Sequence, residues 1–204
     1  RLFKQPNEGL ASLVCATLFQ LCRRGYSRSV VDRGIVAKVV SIGCLFTESG
    51  ARAEPRPVAW ALAVLWFLSY ESAGRRAFAV EGEQSNRLLL AVLEEFRDGP
   101  ALVLALKLCL VFLHSKPREK QYQNLDVAIV EPLLDLIKPV AKDASTHSLP
   151  SPAADSYTRR LALRLLKSLL DRSNAHDDEL TRLRYRDPRH IGGEGAGHFG
   201  YIPP

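Results

Sequence analysis

Few residues in this sequence have the types and spacing that chemistry requires. Gly195, Gly197 and Gly200 match the glycine spacing of a dinucleotide-binding loop. That loop works by placing a pyrophosphate at the N-terminus of the helix that follows it, after a preceding strand. Neither element is predicted around these glycines, because the residues after them end in Pro203-Pro204. We therefore expect the match to be coincidental.

Metal ligands and catalytic groups are no better placed. The run from His176 to Glu179 offers ligand-type side chains, but neighbours along a chain cannot converge on one ion without further ligands. No nucleophile lies beside a base, and no paired acids occur in an apolar segment. His114 ends a predicted helix, where a histidine ordinarily interacts with the helix dipole, and the other histidines fall in loops or the tail. The sequence thus predicts no enzyme, no cofactor and no metal site.

The four cysteines are predicted to be buried free thiols. Cys15, Cys22, Cys44 and Cys109 lie in apolar stretches without the close pairing of metal ribbons or redox motifs. Cys15 and Cys22 are seven residues apart, so on a helix they share one face. Free thiols suit a reducing compartment, and we expect a cytoplasmic or nuclear protein.

The charge balance is compatible with several kinds of partner. A formal net charge of +6 and a pI near 9.3 could attract an acidic peptide, a nucleic acid or an anionic membrane surface. The apolar run 59–68 has about ten residues, whereas a membrane span needs about 20, so no transmembrane helix is predicted and no membrane partner is expected. The sequence begins at Arg1 and contains no Met, and we expect it to be part of a longer polypeptide or a processed product.

Helices account for most of the predicted structure. Apolar residues recur at helical spacing, and Gly, Pro and Ser mark the breaks between segments. Leu18 has counterparts in Leu62 and Leu106, a displacement of 44 residues each time. That period is typical of α-solenoids, so the predicted fold class is all-α. The predicted helices are 10–23, 27–33, 35–46, 58–70, 73–80, 85–97, 101–114, 122–125, 127–140 and 156–172.

An apolar stretch from Val58 to Leu65 is followed by a polar turn and then by the stretch from Arg75 to Gly82. These two stretches resemble the third helix of one repeat and the first helices of the next repeat in the armadillo-repeat superfamily of ARM/HEAT-like α-solenoids. Gly34 and Gly82 also stand where that family places a glycine between its first and second helices. The resemblance implies a right-handed armadillo-like α-solenoid of about three to four helical repeats.

The sequence divides into two parts of different composition. Residues 1–175 are predicted to form the helical-repeat domain, and residues 176–204 a polar tail rich in Gly and Pro. Such a tail cannot bury enough apolar surface to offset the entropy of ordering it. We expect an irregular, extended segment that either folds across the groove of its own domain or binds another molecule.

The resemblance also implies where a partner would bind, because the third helices of armadillo repeats line a concave groove. Trp60, Val64 and Phe67 would form one stripe on such a helix, which is either core or a binding surface. The family's nuclear-import receptors carry an Asn four residues after the Trp, where this sequence has Val64, so binding of basic signals is not expected. The residues predicted to flank the stripe are Gln20, Lys107 and Arg164.

Basic residues cluster at two places. The first cluster includes Arg23 and Arg24, and the second places Arg160, Arg164 and Lys167 on one face of the last predicted helix. Each cluster is either a solvated outer face or a site for an acidic partner or a phosphate backbone. Binding of an acidic partner or a phosphate backbone weakens steeply as the salt concentration rises.

Together these observations predict a non-enzymatic protein–protein interaction module or scaffold, which binds a peptide or helix of a partner protein. An acidic partner would suit the basic residues. One alternative is a nucleic-acid-associated helical-repeat protein, which would bind labelled DNA or RNA at moderate salt. Another is an Hsp70 nucleotide-exchange factor, which would accelerate nucleotide release from that chaperone. Self-association through exposed end repeats is left open.

Overall fold

The computed structural model of the chain describes residues 7–47, 56–113, 127–138 and 156–186, with side chains up to Asn174. Within these ranges the backbone forms helices and short connections, and no strand occurs. The predicted all-α class is therefore confirmed. None of the described helices combines the length and apolar character needed to cross a bilayer.

The first three helices are joined without long loops. Helix α1 spans Glu8–Leu21 and begins at Asn7, whose side-chain oxygen accepts a hydrogen bond from the Leu10 amide at 3.0 Å. A side-chain acceptor at this position pairs one of the amides that the first helical turn leaves free. A π-helical turn, Cys22–Tyr26, leads into α2, Ser27–Asp32, and α3 spans Ile35–Thr47. The chain thus changes direction at Gly25, inside the π-helical turn, which has a φ of 93°.

Six further helices follow in the described ranges. Their bounds are α4, Arg56–Leu68; α5, Ser72–Val80; α6, Gly82–Glu95; α7, Pro100–Leu113; α8, Val130–Ile137; and α9, Ser156–Arg186. The predicted helices at these positions are confirmed, whereas the one at 122–125 lies outside the described residues. Gly34 directly precedes α3 and has a φ of 64°, and Gly82 is the first residue of α6 and has a φ of 42°. Glycine adopts such positive φ values readily.

The contacts between helices form two series, each of three helices. Helix α1 packs on α4 and α4 packs on α7, while α3 packs on α6 and α6 packs on α8. Helix α2 contacts α5, and α3 also contacts α4. The core is formed by the aliphatic side chains between these helices, including Leu62, Leu88, Leu89, Leu102 and Leu106, all fully buried. Phe78 and Phe112 stack face to face, with ring centroids 4.8 Å apart, and join α5 to α7.

The cysteines are free, as predicted, and three of them are buried. Cys15, Cys22 and Cys109 lie in the core, whereas Cys44 is half-buried and its thiol donates a hydrogen bond to the Gln84 carbonyl at 3.5 Å. Burial of Cys44 was therefore overestimated. Cys44 lies on α3 with its thiol against the backbone of Gln84 on α6, and the rest of the protein covers its side chain only in part.

The chain divides into two compact units between Ser168 and Leu169, within α9. The second unit contains the C-terminal part of α9, which is helical to Arg186. Residues 176–186, predicted to belong to an extended tail, are thus helical. A run of helix-compatible residues continues from α9 into this segment, and the first helix-breaking residue is Pro188. Residues 187–204, with the glycines discussed above, lie outside the described residues.

Candidate partner-binding surface

The stripe predicted on the third helix packs mainly within the protein. Phe19 of α1 lies 5.8 Å from Trp60 and 6.0 Å from Phe67 of α4, measured between ring centroids. Val64, between them on the same helix, is fully buried. The prediction that Val64 contacts a partner is corrected, because α1 packs along α4 and covers the side of the helix that carries this residue. Trp60 and Phe67 remain half-buried.

A second set of aromatic residues includes two exposed tyrosines. Trp66, near the end of α4, meets Tyr70 edge to face at 5.3 Å. The ammonium of Lys107, on α7, lies 4.9 Å from the centre of the Trp66 ring and 5.8 Å from that of Tyr157, on α9. We call these four residues the aromatic–lysine surface. Trp66 and Lys107 are half-buried, and Tyr70 and Tyr157 are 65% and 43% exposed.

The turn after α4 is held in place by Arg75. Its guanidinium donates hydrogen bonds to the carbonyl oxygens of Ser69, at 2.7 Å, and Tyr70, at 3.2 Å. The Ser69 hydroxyl donates to the Trp66 carbonyl at 2.6 Å, and the Glu71 amide donates to the Leu68 carbonyl. These bonds satisfy carbonyls that the end of a helix otherwise leaves unpaired. They also fix the backbone that carries Tyr70 beside Trp66.

Helix α9 continues this surface with basic residues. Thr158, Leu161, Ala162 and Leu165 are buried on one face, spaced three and four residues apart. The opposite face exposes Arg160, Arg164 and Lys167, as the sequence predicted, together with Leu163. The Arg160 Nε donates to the Ser156 carbonyl at 3.1 Å, which holds its stem along the first turn, next to Tyr157.

Charges of one sign occupy the helices that form this surface. Helices α4, α7 and the first-unit part of α9 contain no Asp or Glu. Their charged residues are Arg56, Lys107, Arg159, Arg160, Arg164 and Lys167. Acidic residues lie instead on other helices, such as Glu83, Glu94 and Glu95 on α6 and Glu131 on α8. These helices therefore give the surface a positive excess, although the exposed Glu71 follows Tyr70 in the turn after α4.

The remaining predicted residues lie at the end of α1. Gln20, Arg23 and Arg24 are exposed there and in the π-helical turn. The same helix exposes Leu10, Leu13, Val14 and Leu21, which share one face at helical spacing. These four side chains form an exposed apolar face on α1, separate from the aromatic–lysine surface in sequence.

The sequence did not single out Trp66, Tyr70 or Tyr157. Trp66 and Tyr70 are four residues apart and so share a helix face, which was an available signal. The contacts of Lys107 with the rings of Trp66 and Tyr157 could not be predicted from neighbouring residues, because the three residues are far apart in the sequence.

In the described part of the chain, no cluster of three or more His, Cys, Asp or Glu side chains is placed to hold a metal ion. The side chains from His176 to Glu179 lie outside the described side chains. Burial raises the pKa of the Cys15 thiol to about 11, which disfavours the nucleophilic thiolate. The pKa of the Cys22 thiol is raised as well, mainly because the thiol is buried and also because of the negative charge of Glu71. A hydrogen bond with Ser27 lowers this pKa but does not cancel the increase.

Comparison of the chain with known proteins found no match among protein-family models, curated proteins or solved structures.

Proposed function

We propose that this chain is a non-enzymatic protein–protein interaction module, whose first compact unit is an armadillo-like right-handed α-solenoid of about three to four helical repeats. The order of helix contacts supports the proposal, because α4 lies between α1 and α7 and α6 lies between α3 and α8. Stacked repeats produce such pairings, since each unit contacts its neighbours through equivalent helices. The recurrence of Leu18, Leu62 and Leu106 at 44-residue steps supports the same arrangement.

The working surface of this module is the aromatic–lysine surface with the basic face of α9. The observation that carries the proposal is the position of Lys107 on α7, between Trp66 on α4 and Tyr157 on α9. Through it, side chains of three helices that are distant in sequence form one partly exposed surface. Trp and Tyr contribute large contact areas at little conformational cost, which is why they are frequent at the energetic centres of interfaces.

The predicted site residues have different roles in this proposal. Lys107, Arg160, Arg164 and Lys167 contact the partner. Trp60 and Phe67 have a packing role, because their contacts with Phe19 join α4 to α1. Gln20, Arg23 and Arg24 lie at the end of α1 and belong to a separate exposed area.

Affinity capture with the intact chain as bait tests the proposal. Proteins retained by the wild type are compared with those retained by Trp66→Ala and by Tyr26→Ala. Tyr26 is a matched control, because it is an aromatic residue, 55% exposed, in the π-helical turn. We expect Tyr26→Ala to retain the same proteins and Trp66→Ala to lose them, with the circular dichroism of both unchanged. Equal retention by both variants would mean that the partner does not bind at this surface.

A further inference from the structure

The Lys107 side chain is already ordered by its neighbours. Its ammonium lies over the rings of Trp66 and Tyr157, 4.9 Å and 5.8 Å from their centres. Cation–π contacts of this kind are attractive and restrict the rotamers of the lysine side chain. A free surface lysine loses rotamer entropy when it is immobilised. Part of that loss has therefore occurred before any ligand binds, so Lys107 can pair with an anion at a lower entropic cost than an ordinary surface lysine.

The anion-binding capacity extends beyond Lys107. Arg160, Arg164 and Lys167 are exposed on one face of α9, whose first turn contains Tyr157. At a helical rise of 1.5 Å per residue, positions 160 and 167 are about 10 Å apart along the helix. This length matches about three residues of an extended peptide or two turns of a helix. No carboxylate on α4, α7 or the first-unit part of α9 competes for these cations.

We infer that the aromatic–lysine surface recognises a short acidic segment of a partner protein, with one carboxylate paired to Lys107 and others paired to Arg160 and Arg164. The inference rests on the proposed function and specifies the chemistry of the partner. Carboxylates complement the excess positive charge of the surface. The half-buried Leu104 and the exposed Leu163 supply apolar contacts for the side chains between the acids.

A peptide fits this surface better than a nucleic acid does. Proteins that bind single strands use open aromatic rings on which bases stack. Here the Lys107 ammonium lies over one face of the Trp66 ring, and Tyr70 meets the ring edge to face. Stacking a base on that face would require displacing Lys107 and breaking its contact with the ring.

Titration with a short oligoglutamate peptide tests the inference. The sequence contains two tryptophans, Trp60 and Trp66, so Trp60→Phe leaves Trp66 as the single fluorophore beside Lys107. In this background we expect oligoglutamate at low salt to change the Trp66 emission in a saturable manner. Oligoglutamine and oligolysine of the same length should leave it unchanged. Added salt should weaken binding, because the surface charges are screened.

Lys107→Met removes the charge but keeps most of the apolar stem, and Lys38→Met is its matched control. Lys38 is exposed on α3, which is not one of the helices that form the surface. Loss of one charge-assisted pair should weaken oligoglutamate binding about tenfold, read by anisotropy of a labelled peptide because the variant alters the Trp66 signal. Lys38→Met should bind as the wild type does. Arg164→Gln should weaken binding as well, and Arg76→Gln, on α5, should not.

Each opposite result overturns the inference. If Lys107→Met binds oligoglutamate as tightly as Lys38→Met, Lys107 is not the carboxylate receptor. If a DNA or RNA oligonucleotide binds more tightly than oligoglutamate, and Lys107→Met weakens that binding, the surface recognises phosphates rather than carboxylates. If oligoglutamate does not bind while capture of partner proteins still requires Trp66, the proposed function holds and the acidic-partner inference fails.

Discussion

A β-carbon at position 74 would lie 2.1 Å from the carbonyl oxygen of Leu68, because Gly74 at the start of α5 packs directly against the end of α4. Gly74 is buried, and the atoms it meets belong to backbone that Arg75 holds in place through hydrogen bonds to Ser69 and Tyr70. The close approach of α5 to α4 therefore depends on the absence of a side chain. Arg75, which follows Gly74, also holds the backbone of Tyr70, a member of the aromatic–lysine surface.

Gly74→Ala should destabilise the fold by about 3 kcal/mol, at the upper end of the effects of overpacking, because the clash is with backbone that cannot rotate away. Gly9→Ala is the control, since a β-carbon there meets no atom closer than 3.4 Å and alanine favours a helix. Gly9→Ala should be neutral or stabilising by up to about 1 kcal/mol. Urea unfolding followed by circular dichroism measures both. Equal midpoints for the two variants would contradict the packing described for Gly74.

Gly34 should tolerate Asn better than Ala. Its φ is 64°, and a β-carbon added at this position would meet no atom within 4 Å, so any cost comes from backbone conformation. An L-residue in this region costs about 1–2 kcal/mol, and Asn is among the residues that enter it most readily. We expect Gly34→Ala to lower the free energy of unfolding by about 1 kcal/mol and Gly34→Asn to lower it less. Chemical denaturation of the two variants side by side tests this order, which an equal or reversed effect would refute.

The two tryptophans should respond differently to truncation. Trp60→Ala removes a contact with Phe19 between α1 and α4, and we expect a loss of about 2 kcal/mol, below the roughly 3–5 typical of fully buried aromatic residues. Trp66→Ala removes the contacts with Lys107 and Tyr70 and should cost about 1 kcal/mol. Thermal or urea unfolding gives the stabilities, and partner capture gives the binding. A larger stability loss in Trp66→Ala than in Trp60→Ala would reverse the assigned roles.

The stability of the fold should decrease in alkali through Cys15. Burial raises the pKa of this thiol from 9.0 to about 11, so the folded state holds the proton over a range in which the unfolded state releases it. Stabilisation is complete below pH 9 and is lost as the pH rises toward 11, with a total on the order of 2 kcal/mol. Unfolding of the wild type and Cys15→Ala across this range isolates the effect. Identical pH dependence in both proteins would show that Cys15 is not its source.

Most helices could be predicted from the sequence because their signals are local. The prediction of 35–46 corresponds to α3, Ile35–Thr47, and that of 73–80 corresponds to α5, Ser72–Val80. Apolar spacing and breaks at Gly and Pro act over a few residues, which is also the range of helical hydrogen bonds. The extent of α9 was underestimated, since polar composition was taken to indicate a tail although no helix breaker precedes Pro188.

The candidate site was predicted only in part. Arg160, Arg164 and Lys167 were identified by charge and helical spacing, and Lys107 by its position in the resemblance to armadillo repeats. All four lie on or beside the aromatic–lysine surface. Which tryptophan packs against α1 and which lies beside Lys107 could not be deduced from spacing, because both lie on the apolar helix α4 and both are half-buried. The answer depends on where α1 packs, and Phe19 of α1 lies beside Trp60.

By itself, the sequence determined that the chain forms helices, where most of them begin and end, and that its charge includes a basic excess. These properties follow from the intrinsic preferences of neighbouring residues and from apolar periodicity. Tertiary structure decided that Val64 is buried, that Trp66 is partly open and that Lys107 lies between two rings. Such outcomes depend on close packing between segments far apart in the chain, where the environment of each side chain is set by its remote neighbours.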